Sequence, residues 1–358
     1  MPSGIARVKS NDTRSGIEAR LRCLEAVLAR DGTGAAVQRI ETHMSWVLVG
    51  ERQVLKLKKP VRSPFVDFST VEARERNARQ EVRLNRRLAP RIYLGVLALQ
   101  EENGVLRAVP EDRLSSAGPV VDWVVLMQRL PPERMLDQVI ARGELRPSDI
   151  DAILGILVPF YRTATPARVT EGDYVMRMRD ELLRNRGMLE KPEFGLSRAG
   201  ALLDRMAHAI TQHENLLRQR VAQARIVDGH GDLRPEHIAL TDPPVVIDAL
   251  EFDDRLREVD PFDELCFLGL ECAMAGDPSV GPRLQAEMAS ALQDAPAPQL
   301  PMLYTAGRAL LRARLSVAHL LDPEVRMPLK WLPQASRYLD HAADALERME
   351  RYPASRGP

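Results

Sequence analysis

The dominant hydrophobic period of this chain changes near residue 130. Before it, short runs rich in β-branched residues recur: VQRIET, SWVLVG and QVLKLKK, then IYLGVLALQ, VLRAVP and DWVVLMQRL. Such runs, separated by short turns, predict consecutive antiparallel strands. After LPPERMLDQ, apolar residues follow helical spacing over 148–164, 197–226, 280–294, 300–322 and 333–350. Only IVDGHGDL, HIAL and VVIDAL still read as strands there. Two helices interrupt the strand-rich part: GIEARLRCLEAVLARDG ahead of the first strand, and the heavily charged stretch 70–89, closed by Pro90. With 358 residues the chain exceeds the usual single domain. The expectation is an α+β architecture of two lobes: a disordered start over 1–15, a small strand-rich lobe over 16–130 and a large helical lobe over 131–358.

Charge narrows the function classes. Lys plus Arg and Asp plus Glu are each 50, a formal net charge of zero, so nothing global favours nucleic acid or an anionic membrane as partner. The three cysteines, Cys23, Cys266 and Cys272, show no CxxC spacing and read as reduced thiols; Cys266 and Cys272 fall on an apolar helical run and read as core. No apolar run approaches the length of a spanning helix, and the first residues lack a secretory signal's apolar stretch, so a cytoplasmic location is expected.

Phosphoryl transfer needs a cation on nucleotide phosphates, divalent ions on oxygen ligands, and a carboxylate that orients the attacking hydroxyl. Each has a candidate in the required chain order. In QVLKLKK a period of two puts Lys56 and Lys58 on one face with Val54, and Lys56 could reach phosphates. Glu81, on the charged helix, could pair with it. Asp232, in the polar turn HGDLRPEHI, could accept a hydroxyl proton, and Asp248, closing VVID, could bind Mg2+.

HGDLRPEHI followed by VVIDALEFDD resembles the catalytic loop and metal-binding segment of the aminoglycoside phosphotransferase-like kinases. With ETHMSWVLV, LKLKKPVRSPFVDFST and EVRLNRRLAPRIYLGV, the set is similar to one uncharacterised bacterial branch of that family, over about residues 38 to 270. The resemblance implies a two-lobed protein-kinase-like fold, with a nucleotide-binding first lobe and a second lobe holding the catalytic loop and substrate site. It implies an ATP-dependent small-molecule kinase with an alcohol acceptor, using Mg2+ or Mn2+. Carried over, Asp232 is the catalytic carboxylate, Asp248 the metal ligand, Lys56 the phosphate lysine with Lys58 as its rival, and Glu81 the lysine's partner. Residues 123–128, with Met127 among them, would hold the adenine, and Asp263 would be a buried support of the catalytic loop.

Two positions depart from the family pattern. No GxGxxG joins the first strands; the turn at Thr42, His43, Met44 and Ser45 stands there, and its hydroxyls and amides are the substitute phosphate grip. His237 stands where the family carries an asparagine metal ligand; imidazole is a poorer ligand than oxygen for Mg2+ and suits Mn2+ and later metals better.

Structural readings stand beside these. Lys56, Lys58 and Lys59 also fit a solvated edge strand, and Glu81 an exposed salt bridge with Arg83. His230 reads as a structural histidine, and His237 as either a ligand or a structural hydrogen-bonding group. The acidic run from Glu251 to Glu264 fits either a cationic substrate or support of the site. Two other functions remain: a nucleotide-binding regulatory pseudokinase, and a metal-dependent hydrolase using His230, Asp232 and His237.

Overall fold

The computed structural model describes residues 6–7, 14–32, 36–62, 66–116, 118–322 and 324–352. Most of the expected disordered start, 1–15, lies outside them. Two compact units emerge: Met1–Arg134 with His237–Leu256, and Met135–Glu236 with Arg257–Pro358. The sequence reading placed 237–256 in the helical lobe; the structure groups these residues with the sheet.

The first stretch of chain runs β1 (Ala6–Arg7), α1 (Arg14–Arg30), β2 (Gln38–Glu41), β3 (Ser45–Val49), β4 (Gln53–Lys58), β5 (Val61–Arg62), α2 (Val71–Asn85), β6 (Tyr93–Glu102), β7 (Val105–Pro110) and β8 (Val120–Gln128). Six of these strands form one antiparallel sheet in the order β2-β3-β4-β8-β6-β7. β4 is therefore interior, paired with β3 and β8, which removes the edge-strand reading of its lysines. Alternation along β4 sends Leu55 and Leu57 into a core with Leu21, Leu24 and Leu28 of α1, Leu48, Leu97, Leu99 and Val124. Each such buried leucine contributes about 2 kcal/mol, so the apolar face fixes the register that turns Lys56 and Lys58 the other way.

The helix α2 serves that second face. Thr70 caps it by accepting from the Ala73 amide at 3.1 Å. Its buried positions, Arg74, Asn77, Ala78, Glu81, Val82, Leu84 and Asn85, follow three- and four-residue spacing, so a helix that looks polar all round has one inward stripe. Arg74 is matched by Asp122 at 2.7 Å, and Asp122 also accepts from Arg20 at 2.9 Å.

The rest of the chain runs α3 (Leu136–Ala141), α4 (Pro147–Thr163), α5 (Glu171–Leu189), α6 (Ala199–Gln212), α7 (Glu214–Ala222), β9 (Val227–Asp228), β10 (Ile238–Ala239), β11 (Val245–Val246), β12 (Glu258–Val259), α8 (Pro261–Ala275), α9 (Val280–Leu292), α10 (Gln299–Ala318) and α11 (Pro328–Glu350). The hairpin of β10 and β11 belongs to the first unit; β9 pairs with β12 in the second. The single helix expected over 197–226 is two, broken at the buried His213. α5 was missed because charge interrupts its apolar spacing, although Thr170, capping it by accepting from the Asp173 amide, was a readable start signal. The largely apolar α8 is buried over most of its length, Cys266 and Cys272 included. Among the described residues no helix is long and apolar enough to cross a membrane.

Candidate active site

In the first unit, five charged side chains from three segments meet. The Lys56 ammonium lies 2.8 Å from Oε1 of Glu81 and 2.8 Å from Oδ1 of Asp248. Lys58 lies 2.6 Å from Oε2 of Glu81 and 2.5 Å from Oε1 of Glu251. Glu81 is fully buried, which overturns the reading of an exposed pair with Arg83. Burial opposes its charge most strongly, but the two lysines outweigh that and hold its carboxyl below the usual range. The two lysines differ in access: the Lys56 side chain is 15% exposed and faces an Asp248 that is 45% exposed, whereas Lys58 is 2% exposed.

Asp248 is held by its main chain. Its φ is +64°, in the left-handed region that Asp tolerates better than most residues. Three successive amides are fastened around it. Ile247 donates to the His237 carbonyl at 2.9 Å, Asp248 to the Tyr93 hydroxyl at 3.1 Å, and Ala249 to Oδ1 of Asn85 at 2.8 Å. These bonds fix the loop's main chain in addition to the carboxylate's own pair with Lys56. Lys56 is the largest influence on its ionisation and, with His237, keeps it well below the ordinary carboxylate range. Tyr93 goes the other way: burial, reinforced by Glu81 and Asp248, raises its hydroxyl so that it stays neutral.

Asp248 and His237 could together contribute two ligands to a divalent ion. Oδ2 of Asp248 and Nε2 of His237 are 3.7 Å apart, a separation that two metal bonds of about 2.1 Å each can span. One carboxylate oxygen and one imidazole leave other coordination positions to phosphate oxygens and water.

The turn at Thr42 and Ser45 is closed on itself. The Thr42 hydroxyl accepts from the Ser45 amide at 2.9 Å, the Thr42 amide donates to the Ser45 carbonyl at 2.9 Å, and the Ser45 side chain is buried. The Thr42 hydroxyl and amide and the Ser45 amide are thus already bonded within the turn. Met127 lies in β8, paired on one side with Val54 and on the other with Tyr93. Gln128 donates its amide to Ile92 at 2.8 Å, and Arg129 to Arg52 at 2.7 Å. The main chain over the end of 123–128 is therefore largely committed to the sheet.

In the second unit, the loop bearing Asp232 is gripped from beneath. Gly229 is required because a Cβ there would lie 2.6 Å from the Glu264 carboxylate, and Gly231 takes φ +89°, where side chains are strained. Glu264, fully buried at the start of α8, accepts from the amides of His230 at 3.0 Å and Gly231, and from the Tyr161 hydroxyl at 2.7 Å. The support expected of Asp263 is thus supplied by its neighbour. Asp263 forms its own pair with Arg308 at 2.7 Å. One residue is about 100° of helix turn, enough to move the role between adjacent acids. Burial raises the Glu264 carboxyl, with the three donors opposing.

His230 is buried, and its Nδ1 accepts from the Asp232 amide at 3.3 Å, the structural role expected of it. Asp232 pairs with Arg234 at 2.9 Å, and Arg234 also bonds Glu236. Most acids of the 251–264 run have assigned partners: Glu251 with Lys58, Asp253 with Arg255, Glu258 with Arg177, and Asp260 with Arg220. That pattern favours support over a surface for a cationic substrate.

Sequence reasoning missed Tyr93, Asn85 and Glu264. Asn85 had a faint signal, an amide side chain on the inward stripe of α2; Glu264 ended the acidic run that also fitted support of the site, without being singled out; Tyr93 had none beyond its residue type.

No protein-family model matches the chain. Uncharacterised proteins of Mycobacterium tuberculosis and Mycobacterium bovis are 30% identical over 315 residues, covering 84% of this chain. The chain spans 59% of the length of these curated relatives. Among solved structures, a choline kinase from Cryptosporidium parvum superposes with a TM-score of 0.51 at 10% identity, covering 93% of this chain and 97% of its own. The chain shares the kinase-like α+β fold of that choline kinase. An aminoglycoside phosphotransferase from Streptomyces rimosus, in complex with ADP and streptomycin, aligns at 19% identity over 82% of this chain and 98% of its own, with a TM-score of 0.43. The kinase-like fold, strand-rich in one unit and helical in the other, is as the sequence predicted.

Proposed function

We propose that the chain is an ATP-dependent phosphotransferase that moves the γ-phosphoryl group to a hydroxyl of a small molecule. One observation carries the reading: Lys56 bridges buried Glu81 and half-exposed Asp248, 2.8 Å from each. A lysine so placed has one partner that fixes it and a second that shares its surroundings with a divalent ion. In this reading Lys56 binds nucleotide phosphate, with Glu81 keeping it charged and aimed. Asp248 and His237 hold Mg2+ or Mn2+, and the imidazole favours Mn2+. Bound there, such an ion would supply charge neutralisation for the transferring phosphoryl group. Asp232 accepts the proton of the acceptor hydroxyl, on a loop whose main chain Glu264 keeps in place.

A second reading, a regulatory protein that binds nucleotide without transfer, draws support from the self-closed turn at Thr42 and Ser45. One experiment separates the two. ATP binding is measured by calorimetry with Mg2+ and with Mn2+, followed by turnover of ATP against a library of hydroxyl-bearing metabolites, for the parent and for Asp232→Asn. Turnover that Asp232→Asn abolishes supports the phosphotransferase. Binding without turnover under either ion supports the regulatory role, and no binding at all removes both.

A further inference from the structure

Lys58 stands two residues beyond Lys56 on the same face of β4, yet it is enclosed differently. Its ammonium lies between Glu81 at 2.6 Å and Glu251 at 2.5 Å, with the Phe68 ring centroid 5.8 Å away. The side chains of Lys58 and Glu251 are 2% and 7% exposed. An ammonium so buried reaches a ligand only by breaking two desolvated ion pairs, so its use lies in what it holds. It holds the far oxygen of Glu81: Oε1 takes Lys56 and Oε2 takes Lys58. Glu251 follows Asp248 by three residues. The charges thus form an alternating chain, Asp248, Lys56, Glu81, Lys58, Glu251, that begins and ends on one loop.

We infer that Lys58 and Glu251 are positioning residues that fix Glu81 through its second oxygen and thereby hold Lys56 in the direction phosphate binding needs. This rests on the phosphotransferase reading. A glutamate facing a single lysine can turn to offer that lysine both oxygens, and the lysine follows it. With a cation assigned to each oxygen the carboxylate plane is set, and Lys56 keeps Asp248 as its second carboxylate partner. Lys58 also balances the second negative charge of the loop, so the loop is tied to β4 at two points rather than one.

The test is the affinity of the full chain for ATP with Mn2+, measured by calorimetry, beside the thermal midpoint. Glu251→Gln carries the sign. If Lys58 gripped phosphate itself, releasing it from Glu251 would tighten ATP binding; as a positioning residue it loses its anchor, and binding weakens about threefold. Lys58→Met weakens binding about tenfold. The double variant Lys58→Met with Glu251→Gln leaves no unpaired Glu251, which keeps it foldable, and it matches Lys58→Met because both act through Glu81. Arg74→Met breaks an equally buried pair on α2 that does not touch Glu81. It lowers the thermal midpoint and leaves ATP affinity within about twofold of the parent. A double variant within about twofold of a parent that binds ATP, or a Glu251→Gln that tightens binding, overturns the positioning role alone. A parent that binds no ATP overturns the phosphotransferase reading together with it.

Discussion

The Lys56 cluster and the Asp232 loop are both built from charged groups, but they are held by opposite means. In the first unit the functional side chains bond one another: every carboxylate of the chain from Asp248 to Glu251 meets a lysine at 2.5 to 2.8 Å. In the second unit the grip is on the main chain, with Glu264 taking the amides of His230 and Gly231 and the Asp232 side chain left 24% exposed. The difference teaches where function and stability coincide. On the proposed reading, removing a cluster residue of the first unit should disturb chemistry and fold together, whereas in the second the two should rest on different residues.

The sharpest separation is expected at Asp232. Asp232→Asn should lower phosphoryl transfer about 10³-fold while moving the urea midpoint little, since the loop's hydrogen bonds go through Glu264. A variant that unfolds with lost activity would erase the contrast. Glu264→Ala is the converse: two buried amides and a tyrosine hydroxyl lose their acceptor, and stability should fall by about 3–5 kcal/mol in urea titration. Asp263→Asn, which weakens the two-bond Arg308 pair without touching the loop amides, should lose less, about 1–3 kcal/mol.

Lys56→Met joins both effects in one residue. Turnover should drop about 10²-fold or more, and stability by about 3 kcal/mol, because Glu81 and Asp248 each lose a cation. Tyr93→Phe probes the bond that fixes Asp248 without touching its charge, and should cost about 1 kcal/mol with a smaller loss of turnover.

The smallest and most specific effect is in pH. Asp248 is depressed in the folded state, so its contribution to stability is full above its ordinary value of 3.8 and is lost as pH falls towards its folded value. Glu264 is raised, so its contribution is full below its ordinary value of 4.5 and is lost as pH rises through its folded value. Urea midpoints between about pH 3 and pH 7 should therefore fall less on acidification in Asp248→Asn than in the parent, and less on alkalinisation in Glu264→Gln. Identical slopes in all three proteins would show that the two regions are not electrostatically opposite.

What could be read from the sequence was what local rules encode. The period of QVLKLKK gave two lysines on one face, and the motif HGDLRPEHI with VVIDALEFDD pointed to Asp232 and Asp248. The exchange of roles between Asp263 and Glu264 could not be read, because both lie in the first turn of α8 and only the loop opposite distinguishes them. Tyr93 and Asn85 were invisible for a related reason: they fasten amides 155 and 164 residues further along the chain.

The sequence by itself determined the change of period near residue 130, and with it a strand-rich part and a helical part, because alternation and helical spacing depend on near neighbours alone. It also determined which residue types could carry phosphate and metal chemistry. Only the tertiary structure decided which lysine faces Asp248 and which is enclosed by glutamates, since Lys56 meets a partner 192 residues away and Lys58 one 193 away. Periodicity sets the face a side chain takes; the charge that waits there is supplied by folding.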